Sequence, residues 1–166
     1  MALFFPNLED IHQLRVKPEV GELYLLEFLK NQLYDSFEIF FNPFLNGDRP
    51  DIIIMKENQG VLIIEIKDYV LDSYILDDRK NWLVKKNNQR IKSPIAQVLQ
   101  YKDNLFNLHI ENLLAKKISN IKNFNIVSCA VYFHNTTNTK LKEFLIDPFI
   151  RWLFFFTNQF LRSSKI

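Results

Sequence analysis

Glycine and cysteine are scarce in this chain, and each scarcity excludes a class of site. Three glycines among 166 residues are too few for the glycine-rich loops that cradle phosphates. The single cysteine, Cys129, excludes an intrachain disulfide and a cysteine-cluster zinc site, and it suits a reducing compartment. Because Cys129 lies within the apolar run NFNIVSCAVYFH, we expect a core residue and not a nucleophile.

A strong charge imbalance and a long apolar run are also missing. The 21 Lys and Arg residues against 19 Asp and Glu residues give a formal net charge of +2, so any surface that binds a polyanion must be local. The start, MALFFPNLED, lacks the pattern of a secretory signal. The most apolar late run, FIRWLFFFTNQFL, contains Arg151 and is shorter than the roughly 20 residues of a membrane span. We expect a cytoplasmic domain that makes no membrane contact.

The hydrophobic content of 48% suffices for one core, and the absence of repeats and linkers predicts a single domain over residues 1–166. Periodicity predicts a helix over residues 18–34 and then a strand in FEIFFNPFL. Two strands, DIIIMK and GVLIIEIK, flank a tight turn at residues 57–60, and a second hairpin, SYILDD and WLVKKN, follows. Ser93-Pro94 starts a helix that includes IAQVLQYKDNLFNLHI. A buried strand in NFNIVSCAVYFH precedes a mostly helical tail from residue 139. This order predicts a mixed α/β fold with a sheet between helices.

Charged residues stand at the outer ends of the first two hairpin strands. If residues 57–60 form the turn, paired residues have numbers that sum to about 116 or 117, and Asp51 lies opposite Glu65 or Ile66. Side chains alternate along a strand, so Glu65 and Lys67 share a face. Two buried carboxylates repel each other unless a cation lies between them. A hard divalent ion such as Mg²⁺ meets that need, and Lys67 could polarise a phosphate.

Less specific interpretations of these residues stay open. Glu-x-Lys often marks a solvated strand edge, and Asp after Pro is common in turns. Glu22, which follows Gly21 in the first turn of the first helix, is either a helix-dipole acid or a member of the charged cluster. Gln97 and Tyr101 share a helix face, for ordinary packing or for the site.

Basic residues concentrate in the second hairpin and directly after it. They are Arg79, Lys80, Lys85, Lys86, Arg90 and Lys92. With Trp82 among them, they suit a nucleic-acid backbone and one stacked base. The alternative is a solvated hairpin with Trp82 folded onto the sheet.

The tail predicts an apolar helical surface. Phe149, Trp152, Leu153, Phe156 and Phe160 follow helical spacing. We expect one face of this helix to cover the sheet and the other to meet a second subunit or a further domain, which predicts a homodimer through the C-terminal helix.

Taken in order, these motifs resemble those of the PD-(D/E)xK nuclease superfamily. Gly21-Glu22, Asp51, Glu65-Ile66-Lys67 and Gln97-x-x-x-Tyr101 carry the resemblance. More narrowly, NPFLNGDRPDIII, GVLIIEIKDY, IKSPIAQVLQYKDNLFNLHI and VYFH are similar to the NERD (nuclease-related) domain at the N-terminus of UvrD-like superfamily 1 helicases. The likeness covers residues 21–134 and implies a nuclease-like central mixed β-sheet flanked by helices.

The resemblance also implies hydrolysis of DNA phosphodiester bonds with Mg²⁺ or Mn²⁺, beside a fused or partner helicase. In that case Asp51, Glu65 and the Ile66 carbonyl bind the metal, and Lys67 is the catalytic lysine. Glu22 is an accessory acid that acts through water, Gln97 orients Lys67 or the phosphate, and Tyr101 supports Gln97 or touches the DNA backbone.

Several alternatives remain open at this point. They are a catalytically silent module that binds nucleic acid or docks a helicase, and a purely structural interaction domain. The choices between endonuclease and exonuclease, single and double strands, and DNA and RNA are open too. The sequence is also compatible with the N-terminal part of a longer helicase-nuclease.

Overall fold

The computed structural model contains both strands and helices and describes residues 1–109, 113–145 and 153–157. The strands in these ranges are β1 (Leu3–Phe5), β2 (Phe37–Phe41), β3 (Ile52–Lys56), β4 (Gly60–Lys67), β5 (Tyr74–Leu76), β6 (Trp82–Val84), β7 (Arg90–Ile91), β8 (Val127–Phe133) and β9 (Leu153–Thr157). The α-helices are α1 (Leu8–Gln13), α2 (Val20–Gln32), α3 (Pro94–Asn104), α4 (Leu113–Ser119) and α5 (Asn138–Phe144). None of the described helices combines the length and the apolar character needed to cross a membrane.

Six strands form one mixed sheet in the order β1-β2-β3-β4-β8-β9. The β2-β3 and β3-β4 pairs are antiparallel, whereas β1-β2, β4-β8 and β8-β9 are parallel. A separate three-stranded sheet, β5-β6-β7, lies in the connection between β4 and β8. The predicted α/β class, a central mixed sheet with helices packed against it, is confirmed.

Each face of the six-stranded sheet has its own core. On one face, α1 and α2 contribute Ile11, Leu25 and Leu26, which pack against strand residues such as Ile39 and Ile64. On the other face, α3 and the small sheet contribute buried side chains including Val98, Tyr101, Leu105 and Trp82, against Ile53, Ile63, Val131 and Phe133. The even-numbered residues of β3 and β4 therefore face α2, and the odd-numbered ones face α3.

The β3-β4 hairpin has the predicted register. Ile52 pairs with Ile64, so the numbers sum to 116, and the next position outward places Asp51 opposite Glu65. Asn58 and Gly60 adopt positive φ values of 60° and 137°, which suits residue types that tolerate the left-handed region. The turn chemistry thus sets a register that brings the two acids together.

Several short elements and element ends differ from the predictions. The elements β1, α1, β7 and α4 were not predicted. The helix expected to continue after Ser93-Pro94 changes at residue 105 into a π-helical turn, Leu105–His109. The helix predicted over residues 18–34 is observed at Val20–Gln32.

The interpretation of Trp82 as a base-stacking residue is wrong. Its side chain is 1% exposed, and its ring stacks on Phe133 at a centroid distance of 6.1 Å and contacts Phe144 at 4.9 Å. Tyr69 and Tyr74 surround the same ring. The indole therefore anchors the small sheet to the main sheet, as the alternative interpretation of the hairpin had it.

The mostly helical tail predicted from residue 139 is observed as a helix at α5 (Asn138–Phe144), but the helix predicted in FIRWLFFFTNQFL is wrong at residues 153–157. Residues Leu153–Thr157 form β9, which pairs in parallel with β8. Aromatic residues favour strands when a neighbouring strand can satisfy their backbone groups, and Phe156 stacks on Tyr132 at 5.0 Å. The helical face proposed for a homodimer therefore does not form at Leu153 and Phe156. Phe149, Trp152 and Phe160 lie outside the described residues.

We expect Trp82→Ala to lower the free energy of unfolding by about 3–5 kcal/mol, because it opens a cavity between the two sheets. Trp82→Phe should lower the free energy of unfolding by less, since it keeps an aromatic ring there. Phe44→Ala is the control, because Phe44 is 72% exposed. Urea denaturation measures the loss of unfolding free energy, which should be largest for Trp82→Ala, smaller for Trp82→Phe and smallest for Phe44→Ala. If Trp82→Ala and Phe44→Ala lost the same free energy, the anchoring role would be excluded.

Candidate active site

The Asp51 carboxylate joins the two strands at the open end of the hairpin, where backbone pairing stops. Asp51 Oδ2 accepts a hydrogen bond of 2.6 Å from the Ile66 N–H. The Asp51 backbone carbonyl instead accepts from the Asn42 N–H at 2.8 Å, on the β2 side. A side chain thus replaces the backbone partner that β3 would otherwise supply to β4.

Pro50 leaves the Ile66 carbonyl, in turn, without a donor from the β3 side. Two positions beyond the Ile52–Ile64 pair, the same register places Pro50 opposite Ile66. Proline has no N–H, so it cannot donate to the Ile66 carbonyl. Neighbouring carbonyls of a strand point in opposite directions within the sheet, and the Lys67 carbonyl accepts from the His134 N–H on the β8 side. The Ile66 carbonyl is therefore directed toward Asp51.

Glu65 and Lys67 form a close ion pair on the α3 face of β4. Lys67 Nζ donates to Glu65 Oε1 at 2.5 Å. Glu65 is 1% exposed, and its other oxygen, Oε2, is buried and has no hydrogen-bond partner among the described residues. Such an oxygen loses its hydration without compensation, which is costly unless a cation or an ordered water binds it.

Burial perturbs both acids. Burial, and then the negative charge of Glu65, raise the pKa of Asp51 to about 7, although the Ile66 hydrogen bond opposes the change. Burial also raises the pKa of Glu65 against the attraction of Lys67. Burial alone would lower the pKa of Lys67, but Glu65 and Asp51 outweigh it and raise that pKa. Lys67 is therefore a cation at neutral pH.

These groups fit a hard divalent cation. The carboxylates of Asp51 and Glu65, which include the unpartnered Glu65 Oε2, and the Ile66 carbonyl are oxygen donors at one end of the hairpin that could hold such an ion. Mg²⁺ commonly binds one or two carboxylates and keeps several waters. The described residues contain no group of three His, Cys, Asp or Glu side chains arranged to hold a metal ion, so the protein supplies two acids and water would have to supply most other ligands.

Glu22 has a structural role in the first turn of α2. Its Oε2 accepts from the Glu19 N–H at 2.7 Å, which completes a capping box. Its Oε1 accepts from Asn42 Nδ2 at 3.4 Å. Burial raises the pKa of Glu22, and the nearby charge of Asp51 adds to this effect. Glu22 is thus close enough to Asp51 for their charges to interact, and its accessory function stays a prediction.

Asp68 positions α2 against the end of β4, and sequence reasoning missed it. Asp68 Oδ2 accepts from the Gly21 N–H at 3.0 Å. A Cβ at position 21 would lie 2.1 Å from Asp68 Oδ1, so only glycine allows this close approach. The signal was in the sequence, because Gly21 precedes Glu22 and Asp68 follows Lys67, but the 47-residue separation concealed the contact.

Gln97 and Tyr101 connect α3 to the loop before Asp51. Gln97 Nε2 donates to the Tyr101 hydroxyl at 2.9 Å, and that hydroxyl donates to the Arg49 carbonyl at 3.3 Å. One turn later, Asn104 Nδ2 donates to Asp48 Oδ2 at 2.8 Å. The side chains predicted to support the site are therefore together, and they hold the segment that delivers Asp51.

The basic residues of the hairpin divide into two groups. Lys80, Arg90 and Lys92 line one cavity, and the charge of Lys92 acts on Glu65. Lys85 and Lys86 lie in the opposite turn, between β6 and β7, and Lys85 is close enough to Asp72 to act on its pKa. The structure therefore does not bring all the predicted basic residues onto one surface.

The raised pKa of Asp51 predicts how stability depends on pH in metal-free protein. The folded state retains a proton that the unfolded state loses near pH 4, so the free energy of unfolding should fall as pH rises from about 4 to about 7. Asp51→Asn stays neutral and can still accept from Ile66. We expect it to be more stable than wild type at pH 8 in EDTA, by roughly 1–4 kcal/mol, and equal near pH 4.

The matched control for this measurement is Asp35→Asn, at an exposed position. Its denaturation midpoints should follow those of wild type at both pH values. If Asp51→Asn also followed wild type at pH 8, the electrostatic cost assigned to Asp51 would be refuted.

A comparison with protein families identifies the sequence that forms this site. The model of the family described as "nuclease-related domain" (NERD) matches residues 17–134, which is well over half of the chain and includes every site residue from Glu22 to Tyr101. Comparisons with curated proteins and with solved structures gave no significant match. The mixed sheet with its flanking helices is consistent with a nuclease-like fold. The predicted family is confirmed: the chain belongs to the nuclease-related domain (NERD) family.

Proposed function

We propose that this chain is a divalent-metal-dependent deoxyribonuclease domain that hydrolyses phosphodiester bonds in DNA. The observation that carries the proposal is the buried, unpartnered Glu65 Oε2 beside Asp51, whose pKa is raised to about 7. A pair of acids that is destabilised in this way without a cation is suited to bind one. Membership of a nuclease-related family supports the same chemistry.

Asp51, Glu65 and the Ile66 carbonyl are the groups that would hold Mg²⁺ or Mn²⁺. The bound ion would supply charge stabilisation and a more acidic water. Lys67 acts as a donor and not as a general base, because its raised pKa keeps the ammonium protonated. Its remaining N–H groups can hydrogen-bond a phosphate oxygen or the attacking water, since only Glu65 Oε1 occupies it among the described hydrogen bonds.

Three further side chains have positioning roles in this proposal. Gln97 and Tyr101 hold the loop that carries Asp51, through the Arg49 carbonyl, and Gln97 orients Lys67 or the scissile phosphate. Glu22 contributes through water, because its own oxygens already cap α2 and accept from Asn42.

The proposal includes a partner for the nuclease. A helicase, fused or separate, would present the DNA during DNA processing or defence against foreign DNA, as the family resemblance implies. The lone cysteine suits a cytoplasmic location. Because the predicted C-terminal helix does not form at residues 153–157, a homodimer through it is not part of the proposal.

A catalytically silent nucleic-acid-binding or helicase-docking module is the second candidate. One observation favours it. Lys67 forms an ion pair with one oxygen of Glu65, so part of the negative charge of the two acids is balanced without a metal. Metal binding and turnover separate the two candidates.

We expect Mg²⁺- or Mn²⁺-dependent cleavage of DNA by wild type, and a loss on the order of 10²-fold or more in Glu65→Gln and Lys67→Met. Calorimetry should detect metal binding by wild type and a much weaker signal for Glu65→Gln and Asp51→Asn. Glu57→Gln is the matched control, because Glu57 is an exposed acid in the turn of the same hairpin.

Folded variants, verified by circular dichroism, are required for this comparison. Cleavage that survives EDTA or persists in Glu65→Gln would overturn the mechanism. Metal-independent DNA binding without any cleavage would favour the silent module.

A second prediction concerns the Lys85 and Lys86 turn. We expect the double variant Lys85→Ala with Lys86→Ala to reduce the salt slope of DNA binding by about two units, one for each lost phosphate contact, and to leave metal binding unchanged. The charge-matched control, Lys30→Ala with Lys122→Ala, changes α2 and the segment before β8. If wild type and the Lys85/Lys86 variant had equal salt slopes, this turn would be a solvated surface that makes no phosphate contacts.

A further inference from the structure

A cavity of about 670 Å³ lies between the small sheet and the first turns of α3. Its wall is mostly aliphatic: Leu76, Ile91, Ile95, Ala96, Leu99 and Leu145. Leu99 is 41% exposed, so its side chain is accessible to a ligand in the cavity. The volume is within the range of pockets that accept small organic ligands.

The polar part of the cavity is positive. Lys80, Arg90 and Lys92 contribute to its lining, together with Asn81 and Ser93, and the lining includes no Asp or Glu. Asp77 is nearby, because its charge and that of Arg90 interact, but its carboxylate accepts hydrogen bonds within the β5-β6 turn from Asn81 and Arg79. Aliphatic surface beside three cations is complementary to a ligand that has an apolar face and a negative charge.

The cavity lies beside the candidate active site. Lys67 Nζ lies 5.8 Å from the centroid of the Tyr69 ring, and that ring lies 6.1 Å from Trp82, which lines the cavity. From the α3 side, Ala96 lines the cavity and the next residue, Gln97, belongs to the site. The charge of Lys92 acts on Glu65. A strand bound at Lys67 would therefore be close enough for a neighbouring nucleotide to reach the cavity.

We propose that this cavity receives one unpaired nucleotide of the DNA strand that is being cleaved. The base lies against the aliphatic wall at Ile95 and Leu99, and the adjacent phosphates contact Lys80, Arg90 and Lys92. The inference rests on the proposed nuclease function and specifies its substrate as DNA with unpaired bases beside the scissile phosphate.

The requirement for an unpaired base follows from geometry. Within a duplex, a base presents only its edges to the grooves, and its face becomes accessible only when the nucleotide is extruded or single-stranded. Contact with a base face through aliphatic side chains makes no use of the donor and acceptor pattern, so the site tolerates any base. Single strands, frayed ends and flaps should thus bind in preference to a blunt duplex.

The test is fluorescence anisotropy in EDTA, so that no cleavage occurs, with a labelled DNA single strand and the same sequence as a blunt duplex. Leu99→Glu is expected to weaken single-strand binding about tenfold and to affect the duplex much less. The matched control is Leu114→Glu, because Leu114 on α4 is 40% exposed and does not line the cavity. Leu99→Met should keep wild-type affinity, since it preserves the apolar contact.

Two results would overturn the inference. In one, Leu99→Glu and Leu114→Glu bind the single strand with the same affinity. In the other, Leu99→Glu weakens single-strand and duplex binding alike, as simple charge repulsion would. Because binding is measured without metal, a selective loss in Leu99→Glu supports the cavity even if wild type cuts no DNA. Conversely, metal-dependent cleavage with unchanged binding by Leu99→Glu would uphold the nuclease and reject the cavity.

Discussion

The hydrogen bond from the Ile66 N–H to the Asp51 carboxylate joins β3 and β4 beyond their last backbone pair. Pro50, opposite Ile66, has no N–H to donate to the Ile66 carbonyl, so a regular ladder cannot continue there, and the Asp51 carboxylate accepts from the Ile66 N–H. The same arrangement directs the Ile66 carbonyl and the two acids to one place. The candidate site is thus a consequence of how this hairpin ends.

Placing two acids there opposes stability. Glu65 is buried and Asp51 is partly buried, and the pKa of each is raised, so the metal-free protein bears an electrostatic cost at neutral pH that Lys67 offsets only in part. The surrounding structure tolerates this because apolar layers cover both faces of the sheet. Local destabilisation of charged groups within a well-packed scaffold is common at functional sites.

Helix α3 connects the chemistry with the second layer of the molecule. Its buried side packs on β4 and β8 through Val98 and Tyr101, and Gln97 and Tyr101 tie it to the loop that carries Asp51. Its first turns also form a wall of the positive cavity under the small sheet. Trp82 fixes that sheet in place, so the position of three basic side chains depends on one buried indole.

The sequence by itself determined the features that depend on local periodicity. Residues 57–60 set the hairpin register, and alternation along β4 placed Glu65 and Lys67 on one face, so the acid pair could be predicted. Ser93 and Pro94 marked the start of α3 in the same way. Tertiary structure alone decided the burial of Trp82, the strand at residues 153–157, the contact of Asp68 with Gly21, and the separation of Lys85 and Lys86 from the cavity. Each of these depends on a partner distant in sequence: a strand edge that accepts β9, a face that covers an indole, or a helix end that meets a carboxylate. Local sequence patterns do not contain the information needed to predict these long-range contacts.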